Sequence, residues 1–138
     1  MNVVVLIGRV LFATLFLGSA LGHFTQRKQM AEYAKMKGVP AAGLSVLASG
    51  VLLLAGGLSI LLGVWADLGS LLLLVFLVPT AVLMHAFWKE TDPQAKQQEM
   101  ISFNKDIALA GAALMLFGFF AHLRGDLGLT LTGPLFHL

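Results

Sequence analysis

Four long apolar runs, Val3–Phe24, Ala41–Trp65, Leu68–Trp88 and Ile107–Leu123, limit what this chain can become more than any other feature. They are 22, 25, 21 and 17 residues long, against the roughly 20 that an α-helix needs to cross a hydrocarbon core of about 30 Å. Arg9 is the only fixed charge inside them; His23, His85 and His122 can titrate. Lipid satisfies no backbone hydrogen bond, so each run is expected to be a spanning helix. A soluble alternative lacks material to cover such helices: the 138 residues are 58% hydrophobic and 12% charged, where soluble domains carry about 25% charged residues. Small domains also leave much of their surface exposed. The expected fold is therefore an all-α, polytopic membrane four-helix bundle, a single domain over residues 1–138 with helices near 3–24, 41–65, 68–88 and 106–123.

The first run is read as a retained helix rather than a signal peptide, because Arg9 interrupts its first third and no basic segment precedes it. Basic residues set the expected orientation. Arg27, Lys28, Lys35 and Lys37 follow the first run, and Lys89, Lys96 and Lys105 follow the third, seven of the nine Lys and Arg in all. The positive-inside rule puts both connections in the cytoplasm and both termini outside. Within the first connection, Met30, Tyr33, Ala34 and Met36 or Lys37 recur at helical spacing among polar and basic residues. A short amphipathic helix on the membrane surface is expected there, stopped by Gly38, with Pro40 in the first turn of the next helix. The tail after Leu123 is too short and too rich in Gly and Pro to span; it lies along the outer interface or caps the bundle.

Leucine gains nothing by leaving lipid for a bundle interior, so small residues should mark the helix contacts. In the second run, Ser45, Ser49, Gly56, Ser59 and Gly63 fall within roughly 80° at 100° per residue and should face inward. In the first, Arg9, Ala13, Phe16, Ala20 and His23 share one face, and Thr14, Gly18 and Gly22 the opposite one. Arginine in lipid is expensive, which assigns the Arg9 face inward and leaves the Thr-Gly-Gly ridge to an adjacent helix or a second copy in a homo-oligomer. Pro79 sits mid-membrane in the third run, where it removes a backbone donor and opens local space.

Antiparallel threading sorts the polar residues into two layers. His23, His85, Trp88, Asn104, Lys105 and Asp106 share the basic face; Arg9, Asp67, His122, Arg124 and Asp126 share the other. At the outer layer, Arg9 either pairs with Asp67 or Asp126 or polarises a ligand. At the basic layer, histidine and lysine donors beside a tryptophan wall fit a quinone or similar small aromatic, and they also fit simple interfacial anchoring. Two histidines on separate helices make a weak metal site, and cysteine is absent, so no metal, haem, iron–sulfur cluster or other covalent cofactor is expected. The small net charge of +2 has no basic block suited to nucleic acid. No hydrolytic motif is present, and the catalytic residues, if any, are not identifiable.

The stretches G-R-V-L-F-A-T-L-F-L-G-S-A-L-G-H-F at 8–24, A-E-Y-A-K-M-K-G-V-P at 31–40, H-A-F-W at 85–88 and F-N-K-D-I-A-L-A-G-A-A-L at 103–114 resemble the DoxX family of small bacterial four-helix membrane proteins. The resemblance implies links to quinol oxidase and thiosulfate:quinone oxidoreductase systems, to a membrane oxidoreductase assembly with a superoxide dismutase and a sulfurtransferase, and to quinone or catechol stress. It therefore implies a membrane subunit that binds a quinone-like ligand, with Arg9, His23, His85 and the 104–106 run as site residues. Where family members often carry Lys-Asn before the last helix, this chain has Asn104-Lys105-Asp106. The other reading is a non-enzymatic anchor or assembly factor, on whose cytoplasmic loops soluble redox proteins dock.

Overall fold

The computed structural model describes residues 2–123 and 126–138; Arg124, assigned above to the outer layer, lies outside them. Among the described residues five α-helices follow in order: α1 (Asn2–Thr25), α2 (Arg27–Met36), α3 (Ala42–Leu62), α4 (Ala66–Met84) and α5 (Pro93–Leu123). The helices α1, α3, α4 and α5 are long and apolar enough to cross a membrane, and the protein is a multi-pass membrane bundle. Its outer belt is apolar: Val4, Leu11, Leu44 and Met115 are each at least 66% exposed, which only lipid accommodates. The helix α2 is the expected amphipathic segment. It ends in a Schellman pair, Gly38 N–H to Lys35 O and Val39 N–H to Ala34 O, with Gly38 at φ 82°.

Small residues make the contacts, as the sequence leads one to expect. The core joins Phe16 and Ala20 of α1, Leu53 and Ile60 of α3, Leu73 and Leu77 of α4, and Ala110 and Ala113 of α5. Gly56 and Ser59 of α3 meet Gly69 of α4 at a close crossing. Ser45 and Ser49, assigned to the same inward stripe, instead line a cavity. On the other side of α3, Gly57 admits Leu17 and Gly50 admits Phe24, contacts the stripe did not include. Thr14 and Gly18 are exposed and Gly22 is half-buried; nothing approaches a side chain built on either glycine, so the ridge does not pack on a helix of the same chain.

Two element ends differ from expectation. The third span stops at Met84 rather than Trp88, and residues 87–89 form a separate 3-10 turn. The last helix begins at Pro93, not near 106, because Asp92 and Pro93 start it: the Asp92 carboxylate accepts the Ala95 N–H at 2.8 Å, and proline is favoured in a first turn. At 1.5 Å per residue, its 31 residues extend about 46 Å. Roughly the first third, mostly polar, therefore stands outside the hydrocarbon core.

At the opposite face the tail caps the bundle. Leu131 and Thr132 donate their N–H groups to Gly63 O, and Trp65 N–H donates to the Thr132 hydroxyl. Arg9 is 3% exposed and points inward, as its energetics demand. Its partners are not the carboxylates expected for it. The guanidinium donates to Ile60 O, Leu61 O and Leu129 O, each at 2.7 Å. The reason is local: the last carbonyls of a helix have no intrahelical donor, and α3 ends beside Arg9. Gly63 must be glycine here, since a Cβ would lie 2.7 Å from the guanidinium and from Thr130, and its φ is +66°. Asp67, fully buried, accepts the N–H groups of Leu135 and Phe136 at 2.7 and 2.6 Å. Asp126 is exposed.

Candidate ligand-binding site

The basic face holds a cavity of 510 Å³ between α3 and α4, roofed by α2. It runs from His85 down to Val75, about 15 Å along α4 and half the depth of a hydrocarbon core. Apolar residues dominate its wall, among them Val46, Leu52, Phe76, Pro79 and Leu83. Proline at 79 has no N–H to offer the Val75 carbonyl, so α4 lacks one helical hydrogen bond where it lines the cavity. A second cleft of 690 Å³, between α2 and the start of α3, is more open and edged by Lys28, Glu32 and Lys35. Its charged groups are solvated side chains, and no buried polar group enters it.

His23 and His85 both line the cavity. The His23 Nδ1 lies 2.8 Å from Ser19 O, one turn back on α1, and its ring packs edge-on to Phe76 at 6.0 Å. His85 has a different setting. Its Nδ1 is 2.7 Å from Glu99 Oε2 and its Nε2 is 3.6 Å from Asp106 Oδ2, so two carboxylates of α5 flank one imidazole. Glu99 also accepts from Lys37 Nζ at 2.8 Å, and Lys37 reaches Glu90 at 3.0 Å. At His85 the cavity is thus bordered by a five-membered polar cluster that ties the loop after α2 to α5.

The other expected ligand residues lie elsewhere. Trp88 is half-exposed in an aromatic group with Phe87 and Phe103, with ring centroids 5.2–5.7 Å apart. Asn104 and Lys105 are exposed, Asp106 is buried but touches His85 rather than the cavity, and Arg9 serves the opposite face. At 100° per residue, Asn104 and Lys105 are turned roughly 200° and 100° from Asp106. The same arithmetic brings Glu99, seven residues earlier, onto the Asp106 face. Glu99 was the residue that sequence reasoning missed, since the 93–105 stretch read as a connection. The Asp92-Pro93 start was the signal that would have found it.

Charge in this cluster gives it a pH range. Burial pushes the Glu99 carboxyl up, but hydrogen bonds from Lys37 and His85 outweigh it and hold the group below its ordinary 4.5. Burial likewise disfavours charged Lys37, yet its bonds to Glu99 and Glu90 leave it above its ordinary 10.5. A depressed carboxyl stabilises above its unfolded value and loses that contribution as pH falls through the folded one. A raised lysine stabilises below its unfolded value and loses it as pH rises through the folded one. The unfolding midpoint in detergent should therefore be flat between about pH 5 and pH 10 and fall on both sides. Glu99→Gln should lower that plateau and flatten the acid limb. An unchanged pH profile in Glu99→Gln would rule the cluster out as a stabilising contact.

Four candidate spanning helices, a surface helix and an apolar cavity open to the basic face define a polytopic membrane protein. The DoxX family model matches residues 4–86, more than half of the chain. The chain belongs to the DoxX family. Every residue lining the cavity falls within the matched segment, whereas Glu99 and Asp106 follow it. No curated protein and no solved structure gives a match.

Proposed function

We propose that this chain is a membrane subunit of a quinone-linked or oxidative-stress oxidoreductase system, holding a quinone-like, lipid-soluble ligand between α3 and α4. One observation carries the reading: the 510 Å³ cavity reaches from the interface to mid-membrane and combines an apolar wall with His23. Ligand sites of about 300–1,000 Å³ with few polar groups are typical for small molecules. The family's loose link to oxidoreductase and quinone chemistry agrees with it. In nanodiscs, a prenylated benzoquinone or its quinol should bind saturably, and Ser49→Trp, which fills the cavity, should weaken binding by about tenfold or more with the fold retained. Saturable binding untouched by Ser49→Trp would place the ligand elsewhere, and the absence of saturable binding of either form would end the proposal.

The anchor reading has its own support in the polar first third of α5, which Lys37 and Glu99 fix against the loop after α2 as a charged platform. Quinol oxidation by the pure protein, with an artificial acceptor, favours the ligand-binding subunit; activity that appears only with a soluble partner favours the anchor. Both readings place the basic face in the cytoplasm of a bacterial cell, by the distribution of Lys and Arg. Cysteines introduced at the exposed Gln97 and Asp126 should then be shielded and labelled, respectively, by an impermeant thiol reagent on intact cells. The opposite labelling reverses the orientation.

A further inference from the structure

We infer that the cavity selects the reduced, hydroxyl-bearing form of its aromatic ligand, a quinol or related phenol, over the oxidised quinone. The inference rests on the reading of the cavity as the ligand site, and it comes from counting donors and acceptors. The His23 Nδ1 faces a carbonyl, which can only accept, so Nδ1 carries the ring proton and Nε2 of the neutral imidazole is a bare acceptor. Ser45 and Thr80 direct their hydroxyl protons to Pro40 O and Phe76 O, both at 2.7 Å, leaving only lone pairs for a ligand. The Val75 carbonyl has lost its helical donor at Pro79. Tyr33 turns its hydroxyl to Glu99 Oε1 at 3.4 Å. The His85 Nδ1 faces Glu99 Oε2 at 2.7 Å, which can only accept, so the proton on that nitrogen is directed to α5. Ser49 supplies one hydroxyl that can act either way.

The wall is therefore rich in acceptors and poor in donors. A quinone oxygen only accepts, so against this largely apolar wall it leaves lone pairs facing lone pairs, with acceptors on both sides unpaired. A quinol hydroxyl donates to the same groups and satisfies them. Sites furnished to pair with a substrate hydroxyl discriminate strongly against the analogue that lacks it.

The test is an anaerobic titration of the protein in nanodiscs at pH 8, using a prenylated hydroquinone, the matching quinone, and the hydroquinone dimethyl ether, which keeps the ring but has no donor. The hydroquinone should bind at least about tenfold more tightly than either of the others. His23→Phe keeps an aromatic ring but removes an acceptor. Pro79→Ala returns a backbone donor to Val75 and suits a helix, so it keeps the question open should His23→Phe not fold. Each should move the hydroquinone-to-quinone ratio toward one. A hydroquinone without the prenyl tail separates the sources: weaker binding assigns a membrane quinol, equal binding a small soluble phenol, and both keep the donor rule. Saturable binding with the quinone or the ether equal to the hydroquinone overturns the inference while leaving the cavity as a ligand site. A ratio unmoved in Pro79→Ala and His23→Phe also overturns it. Binding of none of the three removes the site reading itself.

Discussion

Arg9→Leu should destabilise the folded bundle by about 3–5 kcal/mol, the range for removing one partner of a buried, charged hydrogen-bond set. Three carbonyls lose their donor at once, and one of them, Leu129 O, belongs to the tail. The unfolded reference moves the same way. With its helices separated in lipid, the parent chain carries an unsatisfied arginine, and the variant carries a leucine that lipid welcomes. Arg9 thus adds to the drive for helix association because its alternative surroundings are worse. Arg9→Lys keeps the charge but not the planar fork that reaches three carbonyls, so an intermediate loss is expected. The measurement is a denaturant titration in mixed micelles followed by circular dichroism, with protease cleavage of the 126–138 tail as a second reporter. If Arg9→Leu matches the parent in both, the three hydrogen bonds do not hold the tail.

Gly69→Leu should have the next largest effect, preventing α3 and α4 from closing. A Cβ on Gly69 would meet the Ser59 hydroxyl, sit 2.5 Å from Ser59 Cβ and lie 3.1 Å from Gly56 O. The backbone oxygen cannot rotate away. Neither can the Ser59 Cβ; only the Ser59 hydroxyl can, and then by giving up its bonds to Val64 O and Trp65 O, which shape the turn into α4. Gly69→Ala should cost about 1–3 kcal/mol, as overpacking usually does, and Gly69→Leu more. Because the cavity lies between the same two helices, ligand binding should fall with stability. Gly18→Leu is the matched control on the open ridge of α1, where nothing lies within 4 Å, and should leave the fold intact. Equal behaviour of Gly69→Leu and Gly18→Leu would mean that the α3–α4 crossing is not close-packed.

The sequence by itself determined the four spans, because an unpaired backbone in lipid leaves no competing structure for runs of that length. It also determined which way Arg9 points and that Gly56 and Ser59 lie at a helix contact, since charge and side-chain size act through general energetics. It placed His23 and His85 at one face, and Pro79 where space would open. Only the tertiary structure decided what these residues touch. Arg9 took carbonyls instead of a carboxylate because the frayed end of α3 lies against it, and Asp67 was already occupied by the amides of the returning tail. Glu99 joined the His85 cluster because the helix that carries Asp106 begins at Pro93; Asn104 and Lys105 face away through their angle from Asp106, and Trp88 left the site because α4 ends at Met84. A helix start decides which residues share the 100° per residue phase of the helix, and which face meets a partner is set by packing between elements far apart in the chain. That is why the composition of the basic face was legible in advance and the membership of its site was not.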